Sequence, residues 1–331
     1  MALNTAFTDY MSIPHPIALA PMGGVAGGAL AAAVSEGGGL GMIGGGSGDR
    51  ERLAPELALV RERTEKPWGI GFLTWGIDTD TVAWALEYQP AAVMLSFGDP
   101  APYAQRIHDA GVKLVAQVTD LDEAHRALDV GADLIVAQGG DAGGHAGSDA
   151  IGTMSFVPVV VDLAGATPVL AAGGIADGRG LAAALALGAA GALIGTRFEG
   201  TQEALLSAEE SKALLEARGQ DTESNRTLDI ARGSAWPDRY PARTLRNDFL
   251  DKWRGRDDEL RESPEAFREY RALADRNDLA ATPIWAGQGV GLVTAVEPAA
   301  DLVRSLATEA ERTLHNLTHW PPRFQLSASR G

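Results

Sequence analysis

Between residues 17 and 197 the chain repeats one pattern, a short apolar run followed by an alanine-rich stretch with polar residues at helical spacing. The runs occupy 17–20, 40–43, 68–73, 92–95, 113–118, 134–137, 169–171 and 192–194, with Gly, Pro or Asp near their ends. Strands this short and this continuously apolar are buried on both faces, the condition of a parallel sheet covered by helices. The intervening stretches carry helix punctuation. Asp49 predicts a cap for a helix over 50–63, Asp120 for 121–128, and Asp177 for a helix reaching 187. Gly111, Gly131 and Gly188 each stand just past a predicted helix, where a left-handed residue is wanted. Eight strands with helices between them describe an α/β fold of the (β/α)8 TIM-barrel type better than an open sheet. The stretch 139–167 is the least regular link, and its valine run at 157–161 invites misreading as a strand.

Past residue 200 the texture becomes rich in Glu, Arg and Asp, with helical runs at 203–217, 244–253 and 264–274. The chain has 331 residues, against about 250 for a plain barrel. The expected organisation is a barrel from 1–200 and 284–331, with 201–283 a small helical insertion after strand 8, placed as a lid. Pro298 opens a final barrel helix whose apolar stripe is Leu302, Val303, Leu306, Ala310, Leu314 and Leu317.

Composition removes whole classes of function. There is no cysteine, so disulfides, thiolate metal sites and thiol nucleophiles are out. Net charge is −16 without a Lys/Arg cluster, which argues against nucleic acid as a partner. No apolar run approaches the ~20 residues of a membrane span, and no secretory signal is read at the amino terminus, so no membrane association is expected and cytoplasm is the default. The oligomeric state is not legible, and a homo-oligomer is compatible with the sequence.

The glycine motifs carry the chemistry. GGGLGMIGGG (37–46) holds a G-x-G-x-x-G match at Gly39, Gly41 and Gly44. A dinucleotide fingerprint follows a strand and opens a helix, whereas here Leu40, Met42 and Ile43 lie inside the motif and the next helix starts near Asp49. The match is a decoy. LAPMGG (19–24) follows the first strand, and Met22 and Gly23 would let a flat ligand approach the main chain. VLAAGGIADGRG (169–180) and LIGTRF (193–198) follow the seventh and eighth strands, where barrels often bind phosphate. Gly173, Gly174 and Gly195 leave backbone N–H groups uncovered and Thr196 adds a hydroxyl, a set able to hold a dianion without a basic side chain.

GGDAGGHAG (139–147) follows the sixth strand. Gln138 ends that strand with an amide able to bond a polar ring edge. Gly143 and Gly144 would let a planar group press on the loop and carry His145 over its face. Imidazole is the side chain best suited to proton transfer near neutral pH. His15, His108, His125, His315 and His319 are read as structural or surface residues, Asp141 and Asp149 as solvated or capping ones. No second histidine or carboxylate cluster has zinc-ligand spacing, so no metal is expected.

Taken together, APMGG (20–24), QGGDAGGHAG (138–147), AAGGIADGRG (171–180), IGTRF (194–198) and IWAGQGVGL (284–292) resemble the nitronate monooxygenase (2-nitropropane dioxygenase-like) family of FMN-dependent barrels. The resemblance implies that Gln138 and Gly143 contact the flavin, that Gly174, Gly195 and Thr196 hold its phosphate, and that Met22 lies near the isoalloxazine. It implies that His145 is the active-site histidine, meeting the nitro group and taking the α-proton of neutral nitroalkanes. The substrates would be a nitronate or nitroalkane and O2, the products a carbonyl compound and nitrite. Two positions depart from the family pattern: Gly71 where many relatives place asparagine, and Gln117 where some place lysine near the flavin. The alternative function is an NAD(P)H-dependent flavin reductase of quinones or enoyl thioesters on the same barrel, and a lesser one is a flavin-binding protein without turnover. Barrels of the IMP dehydrogenase type need a cysteine nucleophile that this chain lacks.

Overall fold

In the computed structural model, which describes residues 3–318, eight parallel strands form the barrel. They are β1 (Ile17–Leu19), β2 (Gly41–Gly46), β3 (Trp68–Leu73), β4 (Ala92–Ser96), β5 (Lys113–Val118), β6 (Leu134–Gln138), β8 (Val169–Ala172) and β9 (Gly191–Ile194). The sheet runs β1-β9-β8-β6-β5-β4-β3-β2. It closes where Ala18 bridges Leu40, with Leu19 N–H donating to Leu40 O and Leu40 N–H to Ile17 O, both at 2.9 Å. The two-residue β7 (Gly144–His145) lies outside the barrel, as do β10 (Thr222–Asn225) and β11 (Ala242–Leu245).

Both strand faces are buried, as the uninterrupted apolar runs require. Met94, Val115, Leu134, Val136 and Leu170 fill the barrel, and the amino-terminal helix Ala6–Met11 adds Phe7 and Met11 to that cluster. Their neighbours Val93, Leu95, Leu114, Ile135 and Val169 face the outer helices. The caps fall where expected. Asp49 accepts from Glu51 and Arg52 N–H ahead of the helix Arg50–Arg63, Asp120 from Glu123 N–H, and Asp177 from Gly180 N–H. Gly111, Gly131 and Gly188 have φ of 69°, 72° and 92°.

Gly41 and Gly44 of the decoy motif lie in β2, which starts at Gly41 and extends to Gly46 rather than stopping at residue 43, and Gly39 stands just before it. Its glycines are demanded by packing. A Cβ on Gly41 would lie 1.8 Å from Ala31 O of the helix Gly28–Glu36, and one on Gly44 2.2 Å from Met22 O. The valine run 157–161 lies within the helix Thr153–Ala164, whose buried face is Phe156, Val157, Val160 and Ala164.

Three expectations need correction. The run expected over 203–217 is a helix only at Ala208–Glu216, because Ser207 and Glu210 form a capping box at its start. The run expected from 244 begins as strand: Thr244 belongs to β11, and the helix Asp248–Trp253 starts behind the cap Asn247. Leu317, placed on the apolar stripe of the last helix, is 55% exposed, while Leu302, Val303, Leu306 and Ala310 are buried. Between β9 and that helix the chain is therefore helical and stranded together, with its own apolar cluster around Phe249, Leu250, Trp253 and Leu260. His319 lies outside the described residues.

Gly41→Ala should destabilise the fold by at least about 1–3 kcal/mol through overpacking, read as a lower urea midpoint at unchanged slope. An unmoved midpoint would contradict the packing assigned to β2.

Candidate active site

One cavity of about 590 Å³ opens at the carboxyl ends of the barrel strands. It is lined by every residue the sequence singled out. Met22 and Gly23 come from the loop after β1, Gln117 from β5, Gln138 from the end of β6, and Gly143 and His145 from the loop beyond it. Gly173 and Gly174 follow β8, and Gly195 and Thr196 follow β9. His15, His108, His125 and His315 are not on its wall. Asp141 accepts from Thr153 N–H at 2.8 Å at the start of the helix Thr153–Ala164.

The glycines around His145 serve two needs. Gly144 has φ +71°, a left-handed turn immediately before the histidine. Gly143 makes room for the returning chain, since a Cβ there would lie 2.5 Å from Gly287 N and 2.6 Å from Ala286 C. That approach lets Gln288 N–H donate to Asp141 O (2.9 Å) and Gly287 N–H to Thr196 Oγ1 (3.0 Å). The loop is also partly strand. Gly144 and His145 form β7, antiparallel to Arg243 and Ala242 of β11.

Neither departure from the family pattern is arbitrary. A Cβ on Gly71 would lie 2.2 Å from Pro21 Cγ, so no asparagine fits against that ring. Gln117 donates to Gln138 Oε1 (2.5 Å), and Gln138 donates to His145 O (3.0 Å), a relay that fixes both amides against the histidine backbone.

His145 is 8% exposed. Its Nε2 lies 2.9 Å from Asp229 Oδ2, its ring is stacked on Trp236 at 3.4 Å and 7°, and Trp285 is tilted at 5.4 Å. Burial pushes the imidazole below its ordinary pKa of 6.5; the Asp229 carboxylate opposes this, and Arg232 and Arg226 reinforce it. Burial works against ionisation of Asp229, but the hydrogen bond from His145 and the Arg232 guanidinium outweigh it and hold the carboxyl below its usual value. The pair at neutral pH is thus a neutral imidazole beside a carboxylate. Asp229, Arg232, Trp236 and Trp285 were not singled out as site residues from the sequence. Pro-flanked aromatics in SAWPDRYP and the tryptophan inside IWAGQGVGL were the only signals available.

With that geometry in place, the comparisons decide the family. The family model described as "Nitronate monooxygenase" matches residues 4–75 and 73–309. A nitronate monooxygenase of Neurospora crassa is 36% identical over 363 aligned residues, covering 96% of this chain and 94% of that protein. The chain belongs to the nitronate monooxygenase family. Its architecture agrees with solved structures: FabK from Thermotoga maritima superposes with a TM-score of 0.84 at 31% identity, covering 96% of this chain and 99% of that one. Nitroalkane oxidase from Streptomyces ansochromogenes gives 0.80 at 30% identity, covering 95% and 100%. A nitronate monooxygenase family member is an oxidoreductase, so this chain is an enzyme of that class. Among the described residues no helix is long and apolar enough to cross a membrane.

The cavity wall of this family member also carries Glu199, 3% exposed, with no hydrogen bond to another described residue. Burial pushes its carboxyl well above the ordinary 4.5, and Glu210 adds repulsion. The unfolded chain releases this proton near 4.5 while the folded chain keeps it, so this group makes stability fall as pH rises beyond that value. Glu199→Gln removes the effect. Its Tm should gain on the wild type progressively as pH rises above about 4.5; a difference that stays constant with pH would contradict a neutral Glu199.

Proposed function

We propose that this enzyme is an FMN-dependent nitronate monooxygenase, oxidising alkyl nitronates, and nitroalkanes through their nitronates, with O2 to a carbonyl compound and nitrite. The observation that carries the reading is a buried imidazole, hydrogen-bonded to Asp229, on the same cavity wall as a set of unused backbone donors. Among the described residues the N–H groups of Gly174, Gly195 and Thr196 bond to no acceptor, and all three line the cavity. Gly174 is exposed and Gly195 and Thr196 are half-buried, so these donors are open to a ligand, and a cluster of free N–H groups suits a phosphate. The residues present therefore fit FMN: Gly173, Gly174, Gly195 and Thr196 at its phosphate, Met22 and Gly23 beside the ring system, and Gln117, Gln138 and Gly143 at its polar edge. When bound, the flavin supplies the electron acceptor and the route to oxygen.

The chain's own residues supply the proton chemistry. A nitroalkane α-C–H bond breaks, its proton passes to the imidazole of His145, and the electron pair is left as nitronate on the nitro oxygens. An imidazole held below its ordinary pKa is already in the accepting form at neutral pH. The apolar ring of Trp236, stacked on the imidazole, keeps water from that face.

Anaerobic rapid mixing tests the reading. Bleaching by an alkyl nitronate, followed by nitrite release on adding oxygen, is expected. Bleaching by NADH or NADPH, with none by nitronate, would overturn it in favour of the reductase. A flavin-loaded protein with no turnover of any of these would leave only the binding role.

His145→Ala should lower kcat/KM for neutral nitroalkanes by about 10²–10⁴ and act much less on preformed nitronates, which need no deprotonation. In the wild type the nitroalkane profile should lose activity only below about pH 6.5, since acid protonates the base. Equal losses on both substrate forms would remove the base role. Gly174 has φ +72°, and a Cβ there would lie 3.2 Å from Asp141 Cβ. Gly174→Val should therefore strain the cradle and release FMN on dialysis; a variant that stays yellow would contradict the placement.

A further inference from the structure

The hydrogen bond that orients His145 comes from a residue 84 positions further along the chain, on the short helix Thr227–Ala231. Asp229 is 2% exposed, and each of its oxygens is committed. Oδ2 faces His145 Nε2, and Oδ1 accepts from Arg232 Nη2 (2.6 Å) and Nε (3.2 Å). Arg226 Nη1 stands 3.7 Å from Oδ2. His145 Nδ1 has no hydrogen-bond partner among the described residues.

From this geometry we propose that Asp229 is the positioning residue of the site, accepting from Nε2–H of His145 so that the ring is held as one tautomer and Nδ1 is its basic nitrogen. The inference rests on the base role given to His145 above. It follows from donor counting. A carboxylate only accepts, so the nitrogen facing it must carry the hydrogen, and a neutral ring then has its lone pair on the other nitrogen. Arg232 fixes which oxygen is available. Because both of its donors claim Oδ1, the carboxylate cannot rotate without losing them.

The charged groups acting on His145 all lie on 226–232: Asp229, Arg232 and Arg226. The other elements packed against it bring Trp236, Trp285, the Gln138 amide and the backbone of Ala242, none of them charged.

Asp229→Asn separates positioning from mere packing. Arg232 would hold the amide oxygen, turning the amide NH2 toward Nε2 and forcing the hydrogen onto Nδ1, the wrong nitrogen. On the FMN-loaded enzyme, kcat/KM for nitroethane should fall by up to about 10⁴-fold. Flavin reduction by preformed ethyl nitronate should stay within about tenfold, and the remaining acid limb should move to lower pH with the carboxylate gone. Asp229→Glu should recover part of the nitroethane activity. Equal losses on both substrate forms, or an unmoved acid limb, would reduce Asp229 to a structural residue.

Nitrogen-15 NMR of the wild-type holoenzyme near pH 7, with His145→Gln used to assign the ring, gives an answer independent of activity and of variant folding. A protonated Nε2 and bare Nδ1 are expected. A protonated Nδ1, or an imidazolium, would overturn the proposal. A wild type inert toward nitronates would defeat the functional reading alone, because the tautomer would still report on Asp229.

Discussion

The close approach of Gly143 to the turn at Ala286–Gly287 is the contact on which the site depends. Two backbones meet there with no side chain between them. From that meeting follow the bonds of Gln288 to Asp141 and of Gly287 to Thr196, which join the loops after β6 and β9 and the returning chain into one wall. The pairing of β7 with β11 adds the segment after β9 to the same wall. Tyr240 and Arg239 then anchor this segment to the barrel, donating to Glu123 at 2.6 and 3.0 Å. Residues that sit on loops in the sequence are thus held by hydrogen-bonded ladders, the condition for placing reacting groups accurately.

What could be read from the sequence was local. A capping aspartate acts within three residues and a C′ glycine at one, so Asp49, Asp120, Asp177, Gly111, Gly131 and Gly188 were legible from their neighbours alone. Runs apolar on both faces sufficed for the strands and the barrel. The residues that gather around the cavity were legible because strand order puts every βα loop at one end. The partner of His145 was not, because Asp229 is distant in sequence and sits in a helix of five residues without a periodic signal. β11 was hidden for a related reason. Its ARTL sequence has no alternation, and its strand state comes from pairing with β10 and with a histidine loop a hundred residues earlier. Gly143 and Gly71 were noticed as glycines, but their causes, a returning backbone and the Pro21 ring, are tertiary.

Burial keeps the histidine neutral, and the two arginines temper the opposing pull of Asp229. Asp229 faces two guanidiniums, Arg232 at 2.6 Å and Arg226 at 3.7 Å, the second shared with the exposed Asp238. An imidazolium would be a third cation around one carboxylate, in a place where burial already disfavours charge. The carboxylate is retained because its partners are in place: removing one side of a buried ion pair costs about 3–5 kcal/mol. The same cluster that tunes the imidazole of His145 therefore also holds the segment 226–232 against the barrel loop.

The surroundings of the ring also restrict how a substrate can reach it. One face is covered by Trp236, Trp285 lies tilted with its centroid 5.4 Å away, and the Nε2 edge is taken by Asp229. With Nε2 taken, the basic nitrogen proposed for the ring is Nδ1, whose in-plane lone pair a C–H bond would have to meet close to the ring plane. Trp236 is in turn held by the edges of Phe97 and Trp75, and its loop by Arg226, which donates to the carbonyls of Trp236, Pro237 and Tyr240. Arg226 is also one of the charges that keep the imidazole neutral. The packing over the ring and its protonation preference therefore share a residue, and a loop displaced from Arg226 would expose a face of the ring and alter its charge preference together.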